Sequence, residues 1–336
     1  MINDVLDIPN HIRDALWRVD SAQLKSRPSH GFVVCGMGGS AIGAELARGL
    51  IGLRLTAPMV VVRSYNLPKW INHDWAVLAS SYSGDTEETL SMAESAAQKG
   101  AHVVSVSCGG ALESLARDAG GMHVPCPTGL LPRAAVGALV APVAAVLYKL
   151  GLAPGAHALL MRAQEQLARR RDACRPEVTG AANPARELAR QIGRTIPLIY
   201  GGGALGAVAA YRWKCDVNEN AKAPAFWNTY PELDHNEICA WGQHGDVTRQ
   251  LLTVVEVRHG FEHDRLRLRF DATRTIIDEC VHQVLSVEAQ GEGRLAQLLD
   301  LMYVGDWTGC YLALDNDVDP GPIDAINDLK SRLQTN

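Results

Sequence analysis

The sequence predicts an α/β protein of two tandem domains, each a parallel sheet flanked by helices. Three observations predict it. Short apolar runs rich in β-branched residues alternate with Ala-rich stretches of helical period. A strand, glycine turn and helix occur in that order twice, over residues 31–51 and again over 196–217. The 336 residues also exceed what a single core holds, since cores stop growing at roughly 250–300 residues. The expected division is 1–152 and 153–336.

Residues 5–20 have the spacing of an amphipathic helix. Residues 31–36 (GFVVCG) read as a strand that runs into Gly38, Gly39 and Ser40, and a helix follows over 41–51. Strands are expected at 59–63 and 75–80, the second leading into Ser81-Tyr82-Ser83-Gly84-Asp85-Thr86. A helix over 87–99, a strand over 102–107, a helix over 112–119, a short strand over 122–125 and an apolar helix over 132–150 complete the first domain. Helical crossovers of this length imply parallel pairing with both sheet faces covered. Residues 151–195 are rich in Ala and Arg and broken by Pro154, Pro176 and Pro184, which reads as helical linker. The second domain has strands at 196–200, 251–257 and 281–287 and helices at 207–217, 294–314 and 322–333. Residues 264–270 fit either element.

Hydrophobic residues at 47% and charged residues at 21% exclude global disorder, and no apolar run is long enough to span a bilayer. A net charge of −5 gives no support to a nucleic-acid or membrane partner, so an anionic ligand must be held by local design. The eight cysteines are scattered without a CxxC pair and read as buried free thiols; with an acidic N-terminus unlike a signal peptide, this points to a reducing cytoplasm.

Two glycine turns invite an anion. Gly36, Gly38 and Ala41 fit a relaxed dinucleotide pattern, and Gly201, Gly203 and Gly206 the stricter one. A nicotinamide oxidoreductase would rest on those turns alone, and the strand after the first ends at Arg63 where a ribose-holding acid belongs. Ser81, Ser83 and Thr86 instead cluster short donors at a strand end ahead of a helix, as a phosphate monoester requires. The competing reading is a cap, with Asp85 or Thr86 closing the helix start. Arg133 lies in the first turn of an apolar helix, where a cation opposes the dipole, so it either pairs with a carboxylate or steadies an oxyanion. Residues 218–241 (NENAKAPAFWNTYPELDHNEICAW) concentrate titratable groups, among them Glu219 as a carboxylate base and His235 as a second acid/base. His259 and His263 share a metal-like spacing but have no evident third ligand nearby in the sequence, and they read as surface histidines.

In this order, GMGGSAIG, SYSGDTEETL, LPRAA, NENAKAPAF and PELDHNEI resemble the bifunctional phosphoglucose/phosphomannose isomerase family of bacteria and archaea. Its members carry two sugar-isomerase (SIS) domains. The resemblance implies that Gly38, Gly39, Ser40, Ser81, Ser83 and Thr86 hold a sugar phosphate and that Glu219 shuttles a proton between C1 and C2. It implies that Arg133 stabilises a cis-enediolate and that His235, reaching in from the second subunit of a homodimer, opens the ring. Lys330 is the best-placed match to a lysine on the family's last helix. No cofactor and no metal are implied. The chain departs from the family at Asp319-Pro320-Gly321-Pro322, where a Thr is common in place of Gly321, and at Pro125–Gly129 before the arginine. Those departures keep open an isomerase of another aldose phosphate; a sugar-phosphate sensor without turnover is the reading from a different class.

Overall fold

The computed structural model describes residues 1–22, 24, 29–51 and 55–334. Helix α1 (Ile2–Ser21) precedes a fully parallel sheet of β1 (Gly31–Cys35), β2 (Met59–Val62), β3 (Trp75–Ser80), β4 (His102–Ser107) and β5 (Met122–Pro125), in the order β2-β1-β3-β4-β5. Every residue of β1 and of β4 is buried, as continuous apolar strands between two helix layers must be. The connecting helices are α2 (Gly38–Ile51), α3 (Glu87–Gln98) and α4 (Gly110–Asp118), with α5 (Val136–Lys149) after β5.

Helices α6 (Ala156–Cys174) and α7 (Pro184–Ile192) lead to a second parallel sheet of β6 (Ile196–Gly202), β7 (Phe226–Tyr230), β8 (Leu252–Arg258) and β9 (Gln283–Glu288), in the order β7-β6-β8-β9. Its helices are α8 (Gly203–Asp216), α9 (Gly245–Leu251), α10 (Asp264–Ile277), α11 (Arg294–Asp315) and α12 (Asp324–Gln334). In both sheets the chain reverses its direction of travel at the first strand, between β1 and β3 and between β6 and β8. That crevice, at the carboxyl ends of the strands, is where open α/β sheets bind ligands.

Helices α5 and α11 are apolar on nearly every side, and such helices are stable only when surrounded. Helix α5 packs against α1 and α2, and α11 against α6, α7 and α8. One continuous core therefore runs from Phe32 and Val34 on β1, through α5, α8 and α11, to Val255 and Val257 on β8.

Several elements differ from the sequence reading. The stretch taken as linker is packed core: Ala156, Leu160, Ala163 and Leu167 recur at helical spacing and are buried along α6. Residues 264–270 are helical, opening α10, where His263 caps by accepting from the Arg265 N–H at 3.1 Å. Strand β7 and helix α9 are additions. His259 is buried rather than on the surface, whereas His263 is exposed, and the two do not share a helix. All eight cysteines are free, but Cys239 is exposed, unlike the buried Cys35, Cys126, Cys174 and Cys310.

Candidate active site

The loop after β3 is tied together by its own hydroxyls. Ser81 Oγ lies 2.8 Å from Thr86 Oγ1 and 3.5 Å from Ser83 Oγ, and it accepts from the Gly84 N–H at 3.1 Å. Thr86 occupies the cap position of α3, yet its side chain makes no capping bond. Asp85 does not cap either; its carboxylate accepts from the Ala111 N–H at the start of α4, 2.9 Å away. The first amides of α3 are thus left without a side-chain acceptor, beside three hydroxyls. This is the local chemistry that an anion completes at a helix start.

Ser40, buried in the first turn of α2, belongs to the neighbouring strand's turn, since β1 and β3 are hydrogen-bonded partners. A third segment closes on the same turn. A Cβ on Gly39 would sit 3.2 Å from the Pro132 carbonyl oxygen and 3.9 Å from Arg133 Cα, so glycine is what lets residues 132–133 approach. Gly38, with φ +50°, starts α2.

Arg133 is buried but not ion-paired. Its Nε donates to Asn220 Oδ1 at 2.7 Å, and Nη2 donates to the carbonyls of Pro320 and of Gly321, the latter at 2.6 Å. No protein acceptor faces Nη1 among the described residues. Burial pulls the guanidinium below its usual pKa, and the nearby Glu219 carboxylate opposes that shift. The carbonyls of the Asp319–Pro322 segment therefore form one wall around the cation. This is the segment in which Gly321 departs from the family pattern.

Glu219 and Asn220 lie in a π-helical turn, Val217–Ala221, that extends α8. Such turns are rare and recur at functional sites, because the extra residue re-aims side chains. The turn ends at Lys222, a non-glycine residue with φ +55°, whose Nζ donates to the Glu219 carbonyl at 2.5 Å. Burial and then the Arg133 charge hold the Lys222 ammonium below its usual pKa, against the pull of Asp319, Glu219 and Asp324. Lys222 lies within the titratable stretch 218–241, and nothing in the sequence signals its left-handed backbone.

Behind this group stands a charge cluster that sequence reasoning missed. Arg212 on α8 is fully buried and donates to Asp306 Oδ1 on α11 at 2.5 Å and to the Arg133 backbone carbonyl at 2.8 Å. Asp216 Oδ1 is 2.7 Å from Arg212 Nη2, but misaligned, so neither of its oxygens accepts a well-formed hydrogen bond. Burial pushes the pKa of both carboxyls up, with Arg212 opposing. The cluster fixes the segment carrying Arg133 to the helix that leads into Glu219.

The remaining expected residues lie elsewhere. His235 ends a 3-10 turn, Glu232–His235, after β7. The turn is pinned by buried Leu233 and by Asp234, which accepts from Arg269 at 2.7 Å and from Thr273 at 3.0 Å, while His235 itself is exposed. Lys330 is exposed on α12. Within one chain, no described hydrogen bond or ion pair joins His235 or Lys330 to Arg133, Glu219 or the serine loop. Among the described residues no group of three or more His, Cys, Asp or Glu is placed to hold a metal.

Two parallel sheets with a ligand crevice at the carboxyl end of the first define a tandem SIS protein. The chain superimposes on the C-terminal domain of glucosamine-fructose-6-phosphate aminotransferase from Francisella tularensis with a TM-score of 0.70 and 12% identity, covering 96% and 97% of the two chains. That likeness is one of fold. Residues 181–333 match the family model described as the bacterial phospho-glucose isomerase C-terminal SIS domain. The bifunctional phosphoglucose/phosphomannose isomerase of Caldicellulosiruptor bescii is 34% identical, over 99% of this chain and 98% of that protein. The enzyme of the same name from Aquifex aeolicus is 30% identical over 91% of each. The chain belongs to the bifunctional phosphoglucose/phosphomannose isomerase family.

Proposed function

We propose that the protein interconverts fructose 6-phosphate with glucose 6-phosphate and mannose 6-phosphate through a cis-enediol, without a metal. The division into SIS units 1–152 and 153–336 is part of this reading. Substrate phosphate docks on Ser40, Ser81, Ser83 and Thr86 and on the amides around Gly38 and Gly39. His235, contributed by the second subunit of a homodimer, opens the ring together with Lys330. Glu219 removes the C2 proton of the aldose, the electron pair moves onto the C1 carbonyl oxygen, and Arg133 stabilises the resulting enediolate. Glu219 then returns the proton to C1 while the O2 proton passes to O1, leaving a C2 ketone and a C1 hydroxyl. In reverse, protonation of either face at C2 yields either epimer.

The observation that carries this reading is the pairing of Arg133 with Asn220, which sets the cation beside the turn that holds Glu219. An aldose-ketose shift needs a carboxylate that moves one proton and a cation that steadies the charge left behind. The test is fructose 6-phosphate in deuterated buffer with chelator present, followed by proton NMR. Deuterium at C2 of newly formed glucose and mannose 6-phosphates is expected, with turnover reduced about 10²- to 10⁴-fold in Glu219→Gln. Turnover unchanged in that variant removes Glu219 from the role. Activity lost to chelator removes the metal-free mechanism.

A further inference from the structure

The second sheet has a crevice of its own, built from the counterparts of the catalytic elements. At the carboxyl ends of β6 and β8 lies a cavity of about 800 Å³, bounded by the start of α8, the loop after β8 and the later turns of α2. The two crevices use the same two helices in opposite senses. Helix α2 gives Ser40 from its first turn to one and Glu45 and Arg48 to the other, while α8 starts at one and runs into the Glu219 turn at the other.

Their linings differ in chemistry. Among the described residues the second crevice has no serine or threonine in its wall and instead gathers Arg48, Arg63 and Arg294 around a single carboxylate, Glu45. Glu45 pairs with Arg48 at 2.7 Å and with Arg63 at 3.1 Å, leaving a net positive rim. Arg294 has no carboxylate partner among the described residues and lies 4.9 Å from the Phe261 ring centre. Facing the cations are flat apolar surfaces: Tyr211 and Trp227, with ring centres 5.4 Å apart, and Phe261. Trp227 and Phe261 are each 38% exposed, so these rings turn unsatisfied apolar area towards the crevice and solvent.

The backbone at the rim suits an anion as well. Gly203 opens α8 with φ +61°, and a Cβ there would meet only Leu266 Cδ1, at 3.5 Å. A Cβ on Gly201 would come within 2.0 Å of the Gly206 carbonyl oxygen, so those two glycines exist for strand-helix packing, as in phosphate-binding turns. His259 locks the rim: its ring bonds the Gly202 carbonyl at 3.1 Å and accepts from the Phe261 N–H at 3.2 Å. The neighbouring strand β7 ends in Thr229 and Tyr230, and Thr229 Oγ1 is already bonded to the Gly201 carbonyl at 3.0 Å. Strand β7 itself ends without the acidic residue that contacts the ribose 2′-hydroxyl in dinucleotide-binding turns.

We propose that this crevice between α2, α8 and the loop after β8 is a second ligand site, separate from the catalytic one, that binds a nucleoside phosphate. The base stacks among Tyr211, Trp227 and Phe261, and the phosphate meets Arg294, Arg63 and the α8 amides. The probe is ADP, titrated by calorimetry into the full chain, with fructose 6-phosphate as the competing phosphate ester. One ADP is expected per chain, bound equally with and without saturating fructose 6-phosphate and equally in Glu219→Gln. Arg294→Gln and Trp227→Leu are each expected to weaken it by about tenfold or more. Two variants in different elements, each checked for an unchanged unfolding midpoint, separate loss of the site from loss of the fold. No heat from millimolar ADP overturns the proposal. So does ADP binding that fructose 6-phosphate displaces and Arg294→Gln leaves intact, which would place the nucleotide in the catalytic crevice. A second equivalent of fructose 6-phosphate lost in Arg294→Gln would overturn the nucleoside class.

Discussion

The proposed catalytic groups fall into two sets that are built in opposite ways. Arg133 and Glu219 are held from behind by buried polar side chains, Asn220 on one side and the Arg212–Asp216–Asp306 cluster on the other. His235 and Lys330 stand exposed on the surface, His235 at the end of a pinned turn and Lys330 on a terminal helix, with no hydrogen-bond or ion-pair partner among the described residues. The difference teaches where precision is needed. Proton transfer at carbon requires a base and a cation fixed to within a fraction of an ångström, and buried hydrogen bonds supply that. The groups proposed to act on the ring oxygens are displayed outward, in the manner of residues that complete a site on another surface.

The largest effect that sharpens this contrast is expected from Arg212→Leu. Removing the guanidinium leaves Asp216 and Asp306 buried against each other and deprives the Arg133 carbonyl of its donor. Loss of one partner from a buried charge cluster costs about 3–5 kcal/mol, and urea unfolding should read a drop of that size. A loss below about 1 kcal/mol would mean that the interior set is not held by these charges.

His235→Asn should leave stability unchanged and slow turnover of ring-closed substrate by about 10²- to 10⁴-fold. Its value lies in mixing. If His235 serves the other subunit, combining equal amounts of His235→Asn and Glu219→Gln chains restores about a quarter of the sites, because half the dimers are mixed and each has one intact site. If each chain uses its own histidine, mixing restores nothing, and the division between an inner and an outward set loses its meaning.

A smaller effect follows from the raised pKa of the interior carboxyls. Asp216 titrates above its ordinary range when folded, so the fold favours its protonated form. The sign is set by that direction: stability from this group is fully present below the ordinary carboxylate pKa and is lost as pH rises through the folded value. Asp216→Asn keeps the shape without the ionisation. Its unfolding free energy should fall less steeply with rising pH than that of the wild type, and parallel curves would show that Asp216 does not titrate in the fold.

The serine loop was legible in the sequence because hydroxyls, glycine and a helix start lie within six residues. So were the strand-helix alternation and both glycine turns. The supporting cluster was not. Arg212 and Asp216 are spaced i,i+4, which on a sequence reads as an ordinary exposed helical pair. Only the arrival of Asp306 on α11, 90 residues beyond Asp216, makes that pair interior. The π-helical turn was hidden for a similar reason, since its extra residue is dictated by packing: a Cβ on Gly309 would meet the Asp216 carbonyl oxygen at 3.1 Å. Helix α6 read as linker because its Arg and Gln residues mask the apolar stripe; two of them, Arg170 and Gln166, are buried against Asp300 at 2.6–2.9 Å.

The smallest expected effect is at Lys330. Helix α12 begins at Asp324, close enough to Lys222 for its charge to be felt, and Lys330 lies six residues further, about 9 Å along the axis. Its neighbours Ile326, Leu329 and Leu333 leave an apolar stripe exposed, so the helix has no fixed seat within one chain. Lys330→Ala should therefore change unfolding free energy by no more than about 0.5 kcal/mol, as surface substitutions do. On kinetics the two sets diverge: a lysine that helps open the ring should lower kcat on cyclic substrate while leaving exchange at C2 of the open-chain form intact. Equal loss in both assays would place Lys330 with Arg133 and Glu219, and no loss in either would leave it a solvated lysine on an amphipathic helix.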